Sequence, residues 1–267
     1  MSIALPVAPT STADLGLRSG PSYWFQSYVL MMRWEVLSLR LFLPIMAAVQ
    51  LLIGGGIVIG FGFLFEEISV PQATYLAVGG AVMPLLTLGL VMIPQQVAEQ
   101  KLMGTYAFLF SLPVPRMAMY FAGLTVFSVI ALPPAGAALA IAAWRYDLAL
   151  SFSPLAVPAA LLVVSVASAV GYAIGHAVPQ PRVTQLITQL LIFVVAIFSP
   201  INFPSERFPQ WLQALHHVLP MEHSAIVMRS TLTDGLVTGA VWPSWLVLGA
   251  WVLGSLLVTY RVISRRG

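Results

Sequence analysis

Six apolar runs, each at least 18 residues long, occupy most of this chain: 41–65, 73–94, 119–144, 154–178, 184–201 and 241–260. A helix needs about 20 apolar residues to cross a hydrocarbon core of about 30 Å. Inside that core every backbone N–H and C=O must be satisfied internally, which leaves helices and closed barrels. Runs of this length without strict alternation predict helices. The expected fold class is therefore all-α, a polytopic membrane protein with six transmembrane helices. In 267 residues no large soluble domain fits beside them.

Composition narrows the function classes. Hydrophobic residues make up 59% of the chain and charged residues 8%, against about 25% charged in soluble domains. That balance excludes an ordinary cytosolic enzyme, a disordered chain and a nucleic-acid binder with a basic face. The net charge of +3 comes from twelve basic and nine acidic residues, and in a membrane protein it is topology information. With no cysteine, disulfides, thiolate metal sites and a cysteine nucleophile are out.

Residues 1–21 are small, polar and proline-rich and read as a flexible cytoplasmic tail. Residues 22–40 read as an interfacial amphipathic helix: Tyr23, Leu30, Trp34, Leu37 and Leu41 on one face, and Gln26, Arg33 and Arg40 on another. It also reads as the extramembrane start of the first span. Residues 41–267 form the six-span domain. Gly54-Gly55-Gly56, Pro84 and Pro133-Pro134 interrupt the spans, and proline is tolerated where neighbours satisfy the freed carbonyls. With both termini inside, the inner side holds Arg18, Arg33, Arg40, Lys101, Arg116, Arg182, Arg261, Arg265 and Arg266; the outer side holds Arg145, Arg207 and Arg229. Glu66 and Glu67 fall in the first outer loop. This bias predicts cytoplasmic N- and C-termini.

Two connections carry chemistry. Between spans two and three, Glu99, Gln100 and Lys101 lead to Gly104-Thr105, then an apolar stretch with Phe108 and Leu109, then Pro113-Val114-Pro115-Arg116. The expectation is a short helix over about 99–113, capped by the Thr105 hydroxyl and stopped at Pro113. Exposed Phe108 and Leu109 suit burial by a soluble partner; resting on the bilayer surface fits the same periodicity. Between spans five and six, residues 202–233 predict two amphipathic helices in the outer-leaflet interface, with Ser205 as a cap. Trp211, Leu215 and Val218 share one face of the first, and Pro220 precedes a second that carries Arg229.

His216, His217, Glu222 and His223 form the one local cluster with metal-ligand chemistry, but their spacing matches no zinc motif. Histidines in a wet interfacial loop fit better. The chain has no phosphate-binding Gly-rich loop ahead of its single lysine, so it is not its own ATPase by that route. No ionisable residue falls mid-span, against the habit of proton-driven carriers. Thr184, Gln185, Thr188 and Gln189 make a polar stripe at the inner end of span five. It lines a path between two protomers or makes helix contacts within one; both readings are open. Gln50 and His176 read as helix–helix contacts.

The order and spacing of Gly104-Thr105, Leu109, Pro113-Val114 and Arg116, followed by Pro209-Gln210-Trp211-Leu212, Leu219-Pro220 and Arg229, resemble the permease subunits of ABC-2 type exporters. Ala107 stands where that family often has an acidic residue. The resemblance implies a coupling helix that docks in a separate ATPase, with Glu99, Lys101, Gly104, Thr105, Phe108, Leu109, Pro113 and Arg116 at the docking site. ATP and Mg would be bound by ABC ATPase subunits, with no cofactor and no catalysis in this chain. A second permease subunit, identical or homologous, and membrane lipids are the other implied partners; nucleic acid is not. The implied function is ATP-driven export of an apolar or amphipathic solute (drug, lipid or glycan-lipid) across the cytoplasmic membrane. The alternatives are an ATP-independent transporter or channel-like protein, or a membrane enzyme using His216 and His223.

Overall fold

The computed structural model describes residues 20–63, 68–237 and 239–264. The tail expected before Gly20, with Arg18, and the charges Glu66, Glu67, Arg265 and Arg266 lie outside these residues. Among the described residues all regular structure is helical. An N-terminal helix α1 (Pro21–Leu39) precedes the first span, α2 (Leu43–Gly62). The second span is composite: α3 (Val70–Thr87), a π-helical turn (Leu88–Met92) and α4 (Ile93–Leu102) run without a break. A short α5 (Thr105–Ser111) leads to the third span, α6 (Arg116–Tyr146). The remaining spans are α7 (Ala156–Ala177), α8 (Pro181–Phe198) and α11 (Trp242–Ser264), with α9 (Gln210–His216) and α10 (Pro220–Leu232) between the last two. Six of these units are long and apolar enough to cross a membrane, as the sequence predicts. Their even number places α1, α5 and the end of α11 at one pole and α9 at the other.

The second span does not stop at Pro94, where the apolar run ends. Pro94 sits in the first turn of α4. A proline ring collides with the carbonyl four residues back in a regular α-helix, and the preceding turn is widened so that the Ile93 N–H donates to Leu88 O, five residues back. The helix therefore continues to Leu102. The three glycines at 54–56 and the proline pair at 133–134 likewise stay within continuous helices.

Span two is the hub. In its most apolar stretch 94% of the residues are buried, against 17% in α8 and 22% in α2 and α11. Close approach makes this possible. A Cβ on Gly171 of α7 would overlap the Gly89 carbonyl in the π-turn, and one on Gly175 would press on Pro94 and Val97. On the other side, a Cβ on Gly54 of α2 would overlap the Gly80 carbonyl. Ala167, Gly171 and Gly175 are spaced four apart, the small-residue pattern that lets membrane helices meet backbone to backbone.

α1 packs along α6, and Gln26 and Arg33 are exposed on it, as is Arg40 at its end. Ser27 and Glu35 are buried while Leu30 and Leu37 face outward. Trp24 stacks on Tyr28 and meets Phe121 of α6 edge-on, and the Tyr28 hydroxyl lies 2.8 Å from Thr125 Oγ1. Lipid takes up an apolar side chain as readily as protein does, so Leu30 and Leu37 need no cover from α6.

Candidate functional site

The pole bearing α5 is built from the chain break between α4 and α5. Gly104 takes φ 77°, the left-handed region that L side chains rarely adopt. This turn makes Gly104 the residue that caps α5. Thr105 becomes the first helical residue and makes no side-chain cap bond, so the expected Thr105 cap is not formed. Helix α5 ends at Ser111, and Leu112 is extended ahead of Pro113, as the proline requires. The helix foreseen over about 99–113 is thus two helices. Glu99 and Lys101 close the second span, and only residues 105–111 form α5.

One face of α5 is bolted to the bundle. Tyr106 and Phe110, four apart, stack at 4.5 Å. The Tyr106 hydroxyl pairs with His176 Nδ1 at 3.0 Å, and His176 stacks on Tyr172 one turn earlier in α7. Lys101 donates to Gly175 O at 2.5 Å and Val178 O at 2.7 Å, so its charge answers the carbonyl end of α7. Arg116 donates to Ile263 O at 2.7 Å near the end of α11 and lies over the Phe110 ring. The Tyr23 hydroxyl of α1 donates to Pro113 O. Glu35 accepts from Gln96 Nε2 at 2.9 Å. Burial pushes the Glu35 carboxyl above the ordinary carboxylate range, and the Gln96 bond partly offsets the shift. Among the described residues, α1, α4, α6, α7 and α11 all converge under a seven-residue helix.

This geometry separates residues that the sequence grouped together. Leu109 is buried, a correction to the expectation that it is exposed beside Phe108. It faces the cavity shared with Glu35, Tyr106 and His176. Phe108 is 53% exposed and stands beside Trp34 of α1 at 6.4 Å. Leu102 and Met103 are exposed too. Glu99, Gly104 and Pro113 are open at the same pole, with Thr105 half-buried. The Lys101 and Arg116 side chains point into the protomer.

The polar stripe on α8 also divides. Thr184 and Thr188 are fully buried, and Thr188 Oγ1 accepts from Gln95 Nε2 of α4 at 3.1 Å. Gln185 and Gln189 are exposed, on the face with Leu186, Leu190 and Phe193. Toward the opposite pole an apolar groove of about 370 Å³ separates α2 from α8, lined by Gly56, Gly60, Phe61, Met83 and Ala196 among others. Gln50 is fully buried in α2, and neither amide atom has a partner among the described residues.

At the α9 pole, Trp211, Leu215 and Val218 are exposed as expected, and Trp251 Nε1 donates to Val218 O at 2.8 Å. The second helix departs from expectation. α10 is buried against α3, α7 and α11, with Pro220 at its first turn and Arg229 within the protein. Ser205 opens a short 3-10 turn, and Pro209 occupies the cap of α9. Arg229 donates to Pro200 O and Ile201 O, just past the end of α8, and lies 4.1 Å over the Tyr75 ring of α3. Burial pushes its guanidinium down to about 10, although Tyr75, Glu222 and Glu206 favour the charge; it stays charged at neutral pH. Of the histidines expected in a wet loop, His217 is exposed, whereas His216 and His223 are buried. His216 bonds Phe198 O at 2.7 Å, and His223 lies between Ser244 Oγ at 3.0 Å and His217 O at 2.9 Å. Glu222 lies 3.8 Å from His217 Nδ1. No group of three metal-ligating residues converges among the described residues.

The side chains at both poles are thus occupied in tying helices together, which suits the transmission of movement. The family model for ABC-2 family transporter proteins matches residues 64–261. The chain belongs to the ABC-2 family. It is a multi-pass permease, a membrane transport subunit and not a catalytic one. The match begins after the first span, so α1 and α2 lie outside it. No curated protein matches the sequence closely enough to serve as a relative. Sequence reasoning missed the Tyr106–His176 pair, because 70 residues separate its members. It also missed the close approach of spans two and four, which the four-residue spacing of Ala167, Gly171 and Gly175 encodes.

Proposed function

We propose that this permease is the transmembrane half of an ATP-driven exporter and that α5 is the helix gripped by a separate ABC ATPase subunit, which holds the ATP and Mg. The observation that carries this reading is the pairing of an exposed apolar edge (Leu102, Met103 and Phe108) with an opposite face tied to α1, α4, α6, α7 and α11. An exposed apolar patch marks an interaction surface. A platform fastened at several points transmits a push better than a free loop. An ATPase biases the two access states only through contacts that differ between them, and Gly104, Thr105 and Phe108 are placed to make such contacts. Glu99 and Pro113 flank them. Lys101, Leu109 and Arg116 act from behind, by holding α5 in place.

In this reading the α5 pole is cytoplasmic, in accord with the excess of arginine and lysine on that side, and the membrane is the cytoplasmic one. The sparsely covered faces of α2 and α8, including Gln185 and Gln189, meet a second permease subunit, identical or homologous. The cargo is an apolar or amphipathic solute moving outward. The test is purification of the tagged chain from its native membranes, with the co-purifying ATPase identified by sequencing. Phe108→Asp is expected to abolish co-purification of the ATPase and ATP-dependent export, while Trp211→Asp at the other pole leaves the ATPase bound. Undiminished ATPase binding by the Phe108→Asp protein would overturn the docking role.

A further inference from the structure

The N-terminal helix and the third span enclose a groove that the export reading does not use. Its walls are Met32, Arg33, Val36 and Leu37 of α1 and Thr125, Val126 and Val129 of α6, around a volume of about 610 Å³. Val36, Leu37 and Val129 are exposed along it. The polar atom in its α6 wall is already engaged, since Thr125 Oγ1 donates to Phe121 O at 2.9 Å and pairs with the Tyr28 hydroxyl. What lines the groove is therefore apolar in effect, with a single charge at its edge. Arg33 is exposed and makes no hydrogen bond or ion pair with any described residue. The nearest acid along α1, Glu35, is turned away on the buried face and bonded to Gln96.

At a rise of 1.5 Å per residue, Val129 lies about 20 Å along α6 from Arg116. The groove thus reaches from the helix that borders the headgroup zone into the hydrocarbon layer. An exposed arginine at the headgroup border attracts an anionic headgroup, which meets it with charge-assisted hydrogen bonds. We propose that this groove is a binding site for an anionic phospholipid, with its phosphate on Arg33 and an acyl chain along Val36, Leu37, Val126 and Val129. The lipid would then act as a wedge that fixes α1 against α6. This site stands apart from ATPase docking and requires nothing of it.

The experiment uses the purified full-length chain, stripped of lipid, and counts retained phosphatidylglycerol against phosphatidylcholine by native mass spectrometry. The wild-type chain is expected to retain phosphatidylglycerol in preference. Arg33→Gln should lower that retention roughly fivefold, the effect of one basic residue at a lipid surface. Val129→Trp, which fills the groove from a lipid-facing position, should remove the tightest-bound copy while leaving the fold intact by circular dichroism. Arg40→Gln, one charge outside the groove, should change little. Equal losses for Arg33→Gln and Arg40→Gln would mean a diffuse surface field and overturn the site, as would equal retention of the two lipids by the wild-type chain.

Discussion

Span two and span five present opposite solutions to life in a membrane. Span two is wrapped by neighbours at 94% burial, and it carries the proline-adapted π-turn and the glycine contacts with α7 and α2. Span five is amply apolar, yet only 17% of its apolar stretch is covered. Within the described residues it packs mainly on α4 and the π-turn. Hydrophobicity alone does not distinguish them, because lipid satisfies an apolar side chain as well as protein does. The difference lies in the small residues. Where Gly and Ala allow backbones to meet, a span becomes core. Where Leu186, Leu190, Phe193 and Ile197 project, it stays at the rim, free to meet lipid or another subunit.

The sharpest way to break this contrast is to put bulk at the backbone contact. Gly171→Leu should collide with the Gly89 carbonyl and cost about 3 kcal/mol or more, seen as loss of monodisperse protein and a lowered Tm in detergent. Next in size is Arg229→Leu, which leaves the carbonyls of Pro200 and Ile201 unpaired beside Glu222. About 2–4 kcal/mol is expected, read by thermal unfolding. Tyr106→Phe deletes one bond to His176 and should cost about 1 kcal/mol, loosening α5 in hydrogen exchange without unfolding the spans. Glu35→Gln tests the pH response. A carboxyl raised by burial holds its proton more tightly in the folded chain, so stability falls as pH rises from the unfolded value through the folded one. The variant should lose that slope, with a Tm above wild type at pH 8 and a difference that shrinks as pH falls toward 5. Smallest of all, Leu190→Ala on the rim of α8 should change stability by about 0.5 kcal/mol or less. A large loss there would place span five in the core and end the comparison.

The spans were readable because their length and apolarity leave no other fold. Their edges were harder. Pro94 signals a helix end in a soluble chain, whereas here a widened turn and the close neighbour α7 absorb it, and neither is visible locally. In α1 the periodicity marks the face left to lipid, but nothing in it singles out Ser27 and Glu35 as the residues that α6 and α4 cover. Phe108 and Leu109 are adjacent and equally apolar, and a seven-residue helix without a polar side gives no cue to which one is covered. Thr184 with Thr188 and Gln185 with Gln189 are interleaved pairs about 100° apart on one helix. Composition shows a polar stripe, and only the position of α4 separates its inward threonines from its outward glutamines. Arg229 was placed in the right helix but at a surface, because its partners, the carbonyls past α8 and the Tyr75 ring, come from distant parts of the chain.

The proposed ATPase contact lies at α5 and not on the broad apolar rim. A photo-crosslinking residue placed at Phe108, and in a second protein at Phe193 of α8, tests this in native membranes with the crosslinked partner sequenced. The prediction is an ABC ATPase captured from position 108, and lipid or a second permease copy from position 193. An ATPase captured from position 193, with none from position 108, would contradict it.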